Sequence, residues 1–322
     1  MSVGAPGLLA EEERFERAFE AAARSPLQLF WRRLRRDRVA MASLAFVVVL
    51  VLVALFAPLV VSLLGAPGPT VQDSTAVDSF GTPLGPSGEH PFGVDQLGRD
   101  VLSRTVHGAR VSLLVGVVGT GLAVLLGVVV GLVAGYYRGW VDTVLSRLVD
   151  VVLSFPVLLL GLGIASACSL GDGCFGGTIA PGLRTVILVI AIVSWTSIAR
   201  VVRGQVMSLR EREFVLAARS LGASNRRIVL REILPNLAAP IVVYSSLLLP
   251  QTILFEAALS FLGVGVSPST ASWGAMIADA AENFDTQWWY MLFPGAALLL
   301  TVLAFNLLGD GVRDALDPRA DE

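Results

Sequence analysis

The chain has 322 residues, of which 54% are hydrophobic and 16% charged, and its mean hydropathy is +0.72. Soluble domains carry about 25% charged residues, so this composition excludes an ordinary soluble protein and indicates an all-α integral membrane protein. The net charge is −2 and all 24 basic residues are arginine, which excludes a standard Walker A nucleotide site because that loop needs a lysine at the phosphates.

Six apolar runs are long enough to cross a hydrocarbon core of roughly 30 Å as helices. In chain order they are Ala42–Leu64, Val111–Gly135, Val151–Gly171, Thr185–Val202, Leu237–Phe261 and Trp288–Leu308. They divide the chain into a tail over 1–40, a first span over 41–64, an outer loop over 65–110, a core over 111–310 and a tail over 311–322. Helix kinks are expected at Pro156, Pro240 and Pro250, where neighbouring helices satisfy the freed backbone groups.

The positions of the arginines predict the orientation in the membrane. If the N-terminus is cytoplasmic, the inner segments hold 20 arginines and the outer segments hold 4. Positive residues concentrate on the cytoplasmic side of membrane proteins. Both termini are therefore predicted to be cytoplasmic.

In the first tail, "SPLQLFWRRLRRDR" sets Leu27, Phe30, Trp31 and Leu34 among arginines. At helical spacing these residues predict an amphipathic helix that lies in the headgroup layer. The alternative is a positive flank that only directs topology.

The outer loop is rich in Pro and Gly, which break regular structure, and "GRDVLSRTVHGAR" then predicts a helix leading into the second span. Within that span, Gly127, Gly131 and Gly135 follow one another at four-residue intervals. Such a stripe predicts close approach of a neighbouring helix.

Cys168 and Cys174 lie at or near the predicted outer face, where a disulfide can persist. A bridge and two free thiols both remain open. A zinc site is not predicted, because His90 and His107 are far apart and show no ligand spacing.

Glu256 is the carboxylate set within an apolar run. Such a group either faces the bundle interior or reaches the outer interface, and the length of the run before it favours the interface. The sequence shows no Ser/His/Asp pattern, no paired carboxylates and no glycine-rich phosphate loop. Neither catalysis nor a cofactor on this chain is therefore predicted.

Between the fourth and fifth spans, "FVLAARSLGASNRRIVLREILPN" is similar to the EAA loop of ABC-importer membrane subunits. In that family the loop reads E-A-A, three residues, G, nine residues, then I-x-L-P. The matching positions are Ala217, Ala218, Gly222, Leu234 and Pro235. Leu216 stands where the family often has Glu, with Glu213 as a candidate substitute, and Glu232 stands where the peptide branch often has His.

Three further strings narrow the resemblance. "HPFGVDQLGRDVLSRTVHGAR" resembles the segment before the second span of dipeptide, oligopeptide and nickel permeases, with Val94 where Thr is usual. "EAALSFLGVGVSPSTASWGAMI" and "FNLLGDGVRDALDPR" resemble the C-type subunit of that pair. The resemblance covers about residues 26–319.

This resemblance implies a type I importer (MetI-like) fold in a bacterial cytoplasmic membrane. It also implies a B-type permease partner, two ATPase subunits that hold ATP and Mg, and an extracytoplasmic substrate-binding protein. The implied cargo is short peptides, with nickel chelates, glutathione or another small solute as the alternative. A lone ion-coupled transporter is disfavoured, because apart from Glu256 the spans hold almost none of the carboxylates that ion coupling needs.

For residues 212–236 the expectation is a compact pair of short helices that couples the spans to the ATPases. Small residues would enter a groove on the partner, Gly222 would take a left-handed conformation, arginines would pair with acidic groups, and Asn225 would face solvent. The predicted coupling residues are Ala217, Ala218, Arg219, Gly222, Arg226, Arg227, Leu234 and Pro235. In the outer segment 265–287, Trp273 and Met276 are predicted to contact the binding protein.

Overall fold

The computed structural model describes residues 26–78, 81–169, 173–174, 176–267 and 269–317. The tail before residue 26, the residues after 317 and part of the loop between the two cysteines lie outside the described residues. Regular structure in the described part is helical, with isolated β-bridges and no strand. The helices are α1 Pro26–Arg36, α2 Arg38–Leu55, α3 Ala57–Leu63, α4 Val101–Tyr137, α5 Gly139–Leu153, α6 Val157–Ser169, α7 Leu183–Leu209, α8 Glu213–Ser220, α9 Asn225–Arg227, α10 Leu234–Asn236, α11 Ala238–Phe261, α12 Trp273–Ala280 and α13 Trp288–Leu316.

Five of these described helices, α2, α4, α7, α11 and α13, are long and apolar enough to cross a membrane. The pair α5 and α6 forms a sixth crossing if the two are counted together, although they meet at a bend of 88°. The predicted spans are thus confirmed in number and order when the pair is counted as one. The kink expected at Pro156 in the span over Val151–Gly171 is a complete break, and the helices on its two sides meet at that bend.

Of the three prolines at which kinks are expected, only Pro156 lies at a break between helices. Pro156 lies in the gap between α5 and α6, where its missing N–H and its ring prevent a continuous helix. Pro240 falls in the first turn of α11, where backbone N–H groups lack intrahelical partners anyway. Pro250 is buried inside α11, and that helix continues through it to Phe261.

The second span is longer than its apolar run. Helix α4 begins at Val101, because the Asp100 carboxylate accepts a hydrogen bond of 2.7 Å from the Ser103 N–H and caps it. Its 37 residues therefore include the helical approach that the sequence predicts.

The glycine stripe of α4 packs against α7, as predicted. A Cβ added at Gly131 would lie 2.7 Å from the Ala199 carbonyl oxygen, and one at Gly135 would lie 2.8 Å from that of Arg203. Helices α4 and α7 therefore approach each other closely enough for their backbones to be in contact.

The connections between helices collect at two ends of the bundle. At one end, which we call the arginine-rich end, α1 meets the last residues of α13, and the segment after α7 meets the last turn of α4. At the opposite end, which we call the far end, the loop over 65–100 meets α12 and the start of α13. There Trp289 Nε1 donates a hydrogen bond of 3.2 Å to the Val94 carbonyl.

The far end also holds a network of polar groups. The ring of His90 contacts the Asp100 carboxylate at 2.8 Å and lies 3.5 Å from that of Asp73. Hydrogen bonds from Thr75 lower the pKa of the Asp73 carboxyl. This network fixes a Pro- and Gly-rich loop that has little regular structure of its own.

Candidate functional site

Residues 212–236 lie at the arginine-rich end, between α7 and α11. Helix α8 ends in a Schellman motif, in which the Gly222 N–H donates to the Arg219 carbonyl at 3.0 Å and the Ala223 N–H to that of Ala218 at 3.1 Å. Gly222 has φ +79°, as the sequence predicts. A Cβ there would meet nothing within 4 Å, so the need for glycine comes from the backbone conformation and not from lack of space.

The second half of the segment contains a π-helical turn. Ser224 caps α9, and the chain then forms a π-helix over Ile228–Ile233 before α10. The wider turn places Ile228 and Ile233, five residues apart, on the same buried side. A regular helical period of 3.6 would separate them, so sequence periodicity does not reveal both as core residues.

Apolar side chains fasten the segment to the long helices. Val215, Ile228, Ile233 and Leu237 are all fully buried. They form one cluster with residues of α4 and α7, namely Leu132, Tyr136, Ile198, Val202 and Val206. Movement of this segment must therefore move the ends of two spans.

Polar contacts add to this attachment. The Tyr136 hydroxyl donates a hydrogen bond of 2.8 Å to Asn225 Oδ1, and Arg138 forms an ion pair with Glu211 at 2.9 Å. The Arg210 guanidinium donates to the Tyr136 carbonyl. Asn225 is exposed, as expected, and its side-chain oxygen also accepts this hydrogen bond from the buried Tyr136.

The opposite side of the segment is open. Of the predicted coupling residues, Ala217, Arg219, Gly222, Arg226, Arg227 and Pro235 are exposed, whereas Ala218 and Leu234 are half-buried against the apolar cluster. Leu221, at the tip, is 88% exposed. A shallow depression of about 400 Å³ is lined by Ser224, Arg226, Arg227, Leu230 and Arg231.

Two positions depart from the resembled loop, namely Leu216 and Glu232, and Glu232 is half-buried within the π-helical turn. Leu216 is exposed on α8, so the position where the family often has Glu carries an apolar side chain at the surface. Glu213 lies in the first turn of the same helix, where a carboxylate is favourable to the helix dipole.

The prediction that Trp273 and Met276 contact the binding protein is contradicted by their burial. Trp273 is enclosed and its Nε1 donates a hydrogen bond of 2.9 Å to the Thr105 carbonyl. Met276 packs among Val101, Ala280, Trp289 and Tyr290. These contacts of Trp273 and Met276 hold α12 against the other helices at the far end.

The two cysteines are joined in a disulfide at the far end. Cys174 also exchanges backbone hydrogen bonds with Ile179, at 3.0 and 3.3 Å. This contact holds the short loop that leads into α7.

The placement of Glu256 at the outer interface is wrong. Its side chain is fully buried, and it accepts hydrogen bonds from the Ser112 hydroxyl at 3.0 Å and the Ser260 hydroxyl at 2.8 Å. The carboxylate thus ties α4 to α11 inside the bundle. The apolar pattern of α11 could not reveal that a serine of another helix donates a hydrogen bond to this carboxylate.

The sequence is similar to curated permeases along most of its length. It is 39% identical over 295 residues to a dipeptide transport system permease, DppC, of Alkalihalophilus pseudofirmus, covering 92% of this chain and 90% of that protein. It is 40% identical over 296 residues to a glutathione transport system permease, GsiD, of Escherichia coli, covering 92% and 91%. A dipeptide permease DppC of Bacillus subtilis is 38% identical, covering 90% and 84%.

Solved structures show the same fold. The membrane chain of the MetNI methionine ABC transporter in an inward-facing conformation aligns with a TM-score of 0.54 at 20% identity, covering 66% of this chain and 96% of that one.

Two sequence-family models also match the chain. The family model of the N-terminal transmembrane domain of oligopeptide transport permease C matches residues 25–78. The model of the inner membrane component of binding-protein-dependent transport systems matches residues 127–322, more than half of the chain. With relatives about 40% identical over nine-tenths of its length, the chain belongs to the permease family of binding-protein-dependent ABC importers.

Proposed function

We propose that this chain is the C-type permease subunit of an importer for short peptides in a bacterial cytoplasmic membrane. It works with a B-type permease, two ATPase subunits and an extracytoplasmic binding protein. The relatives named for dipeptides and for glutathione support this cargo, since both are small peptides with free carboxylates. Glutathione is the second candidate, because its permease is as similar as those for dipeptides.

The cargo is tested by the ligand that the assembled importer carries. The binding protein is purified with the membrane complex, without added solute, and its bound molecule is identified by mass spectrometry. A dipeptide or longer α-peptide supports the proposal. A γ-linked tripeptide thiol selects the glutathione alternative, and a nickel chelate contradicts peptide import.

The observation that carries the coupling role is the two-sided character of residues 212–236. One side is buried in the ends of α4 and α7, and the other presents arginines around an exposed apolar tip. A standard Walker A loop needs a lysine, and this chain has none, so in this proposal ATP is hydrolysed by partner subunits. The permease then needs a surface to which those subunits transmit their motion. We infer that this open side docks into the ATPase subunits.

The coupling role is tested with Gly222→Val. A β-branched residue at φ +79° is disfavoured, so the tip should change shape while the spans stay intact. The expected result is a permease present in the membrane, with ATPases lost on purification and no uptake.

Gly263→Val is the matched control. Gly263 has φ +80°, occupies the same position of a Schellman motif after α11, and lies in open space at the far end. Valine at position 263 imposes the same backbone strain as valine at position 222, but away from residues 212–236, so the ATPases should remain bound. Retention of ATPases and normal uptake in Gly222→Val would refute the coupling role.

We further propose that the binding protein docks at the far end on an acidic and apolar surface. The carboxylates of Asp279, Glu282 and Asp285 are exposed there, beside Phe284 and Trp288, each 53% exposed. A cavity of about 390 Å³ is lined by Gln96, Leu97, Arg99, Ala278, Asp279, Glu282 and Tyr290. A basic surface with a protruding side chain complements this site.

A crosslinker attached at residue 282 should reach the binding protein in the assembled importer. The same reagent at residue 273 should not, because that side chain is enclosed. Crosslinks from residue 282 only to the permease pair would place the docking surface elsewhere.

A further inference from the structure

Helix α1 is attached to the start of the first span and to the end of the last span, both at the arginine-rich end. Leu34 is buried against Ala40 at the start of α2 and Ala315 near the end of α13. Arg33 Nη1 donates a hydrogen bond of 2.8 Å to the Asp317 carbonyl. One edge of α1 is therefore held by the first and last spans.

The next edge of the same helix is apolar and uncovered. Leu27 is 78% exposed and Trp31 is 39% exposed. The Arg35 guanidinium lies over the Trp31 ring, 5.0 Å from its centroid. An aromatic ring with a cation stacked on it suits a boundary between hydrocarbon and water.

Exposed arginines continue from this edge around α1 and reach the first residue of α2. Arg32, Arg35, Arg36 and Arg38 are all exposed. The one carboxylate among residues 26–38 is that of Asp37, which accepts hydrogen bonds from the N–H groups of Val39 and Ala40 at the start of α2. This surface therefore carries a net positive charge.

The position of α1 relative to the membrane follows from α2. The helix ends at Arg36 and the first span begins at Arg38, so only Asp37 separates them. The arginines thus lie at the level where the apolar span begins. Phosphate groups of lipids occupy that level, and basic residues there are attracted to anionic lipid.

We propose that α1 binds anionic phospholipid, with Leu27 and Trp31 entering the acyl boundary and Arg32, Arg35 and Arg36 contacting phosphate groups. A lipid surface fits better than an acidic protein because the exposed apolar edge adjoins the cationic arc along the helix. Lipid binding here holds the first and last spans together at their arginine-rich ends.

The test uses the full chain, purified with its partners and placed in lipid nanodiscs. Leu27→Cys provides a site for a fluorescent maleimide, while Cys168 and Cys174 are occupied in their disulfide. The measurement is quenching of the label by brominated phosphatidylglycerol, compared with the same mole fraction of brominated phosphatidylcholine. Since each arginine at an anionic surface favours binding severalfold, the anionic lipid should quench at least about fivefold more per molecule.

Two triple variants are compared in the same assay. Replacement of Arg32, Arg35 and Arg36 by Gln should abolish the preference for phosphatidylglycerol. Replacement by Lys should keep it, because attraction to a charged surface needs charge and not the planar guanidinium. Both variants should retain the ATPase subunits.

Three results would overturn the proposal. One is equal quenching by the two lipids in the unaltered helix, and another is a label that neither lipid quenches. The third is loss of the ATPase subunits from the Gln variant in detergent, which would make α1 a protein-docking surface.

Discussion

Gly131 shows how one residue sets the packing of this membrane domain. A Cβ at this position would lie 2.7 Å from the Ala199 carbonyl and 2.8 Å from Val202 Cβ. Gly131→Ala should therefore separate α4 from α7 and cost about 1–3 kcal/mol, as overpacked sites do. Thermal denaturation of the purified permease should show a lower midpoint.

Gly121→Ala is the control for that substitution. Gly121 lies in the same helix, and an added Cβ there would meet nothing within 4 Å. Its midpoint should stay close to that of the unaltered chain. Equal loss in both variants would mean that helix flexibility, and not contact with α7, explains the effect.

Residues whose role depends on local backbone were predictable from the sequence, whereas residues whose role depends on a distant neighbour were not. The φ of Gly222 follows from a glycine at the end of a short helix. The burial of Trp273 depends on Thr105, 168 positions away. The burial of Glu256 depends on Ser112, 144 positions away, which the periodicity of either helix does not show.

Among the elements, the π-helical turn decides how residues 212–236 are held. Ile233→Ala would remove a fully buried side chain and leave a cavity, which typically costs about 2–5 kcal/mol. The backbone amides of 212–236 should then exchange hydrogen faster than in the unaltered protein. Leu221→Ala, at the 88% exposed tip, should leave exchange unchanged. Equal protection in Ile233→Ala would show that the polar contacts alone hold the segment.

The loop closed by Cys168 and Cys174 makes a second prediction for a single element. The cysteines are six positions apart, so the bridge should contribute at most about 2–3 kcal/mol. Intact mass without reductant should be two hydrogens below the reduced value. Alkylation of both thiols without reduction would contradict the bridge.

The bent pair α5 and α6 marks the limit of prediction at this scale. Pro156 was expected to kink one span, but apolar content alone does not distinguish a kink from a break of 88°. Asp142 and Asp150 of α5 pair with Arg203 and Arg200 of α7. These pairs hold α5 across the arginine-rich end, and they involve residues about 50 to 60 positions apart, beyond any local pattern.

For the whole molecule, the arginine distribution predicts which end faces the cytoplasm. The structure separates the connections into two ends, and labelling in sealed vesicles identifies each. Leu221→Cys should react with an impermeant maleimide only from the cytoplasmic side, and Glu89→Cys only from the outside. The paired cysteines do not interfere, because they are joined. The reverse pattern would invert the topology.

The number and order of crossings were predictable because each needs about 20 apolar residues. Their arrangement in the bundle was not, since helices of similar apolar content give no sign of which neighbours they choose. The glycine stripe is the exception, because small residues at regular spacing mark a contact face.

The clasp between α1 and the end of α13 has a consequence for synthesis of the chain. Arg33 and its partner Asp317 are 284 positions apart. At a translation rate of about 5–20 residues per second, the first helix is made roughly 15–60 s before its partner. During that time the first span has only part of its final packing, so the nascent chain depends on the insertion machinery or on lipid to hold it. A chain stopped before α13 should leave its N-terminal helices open to proteolysis, whereas a chain that extends through residue 317 should protect them.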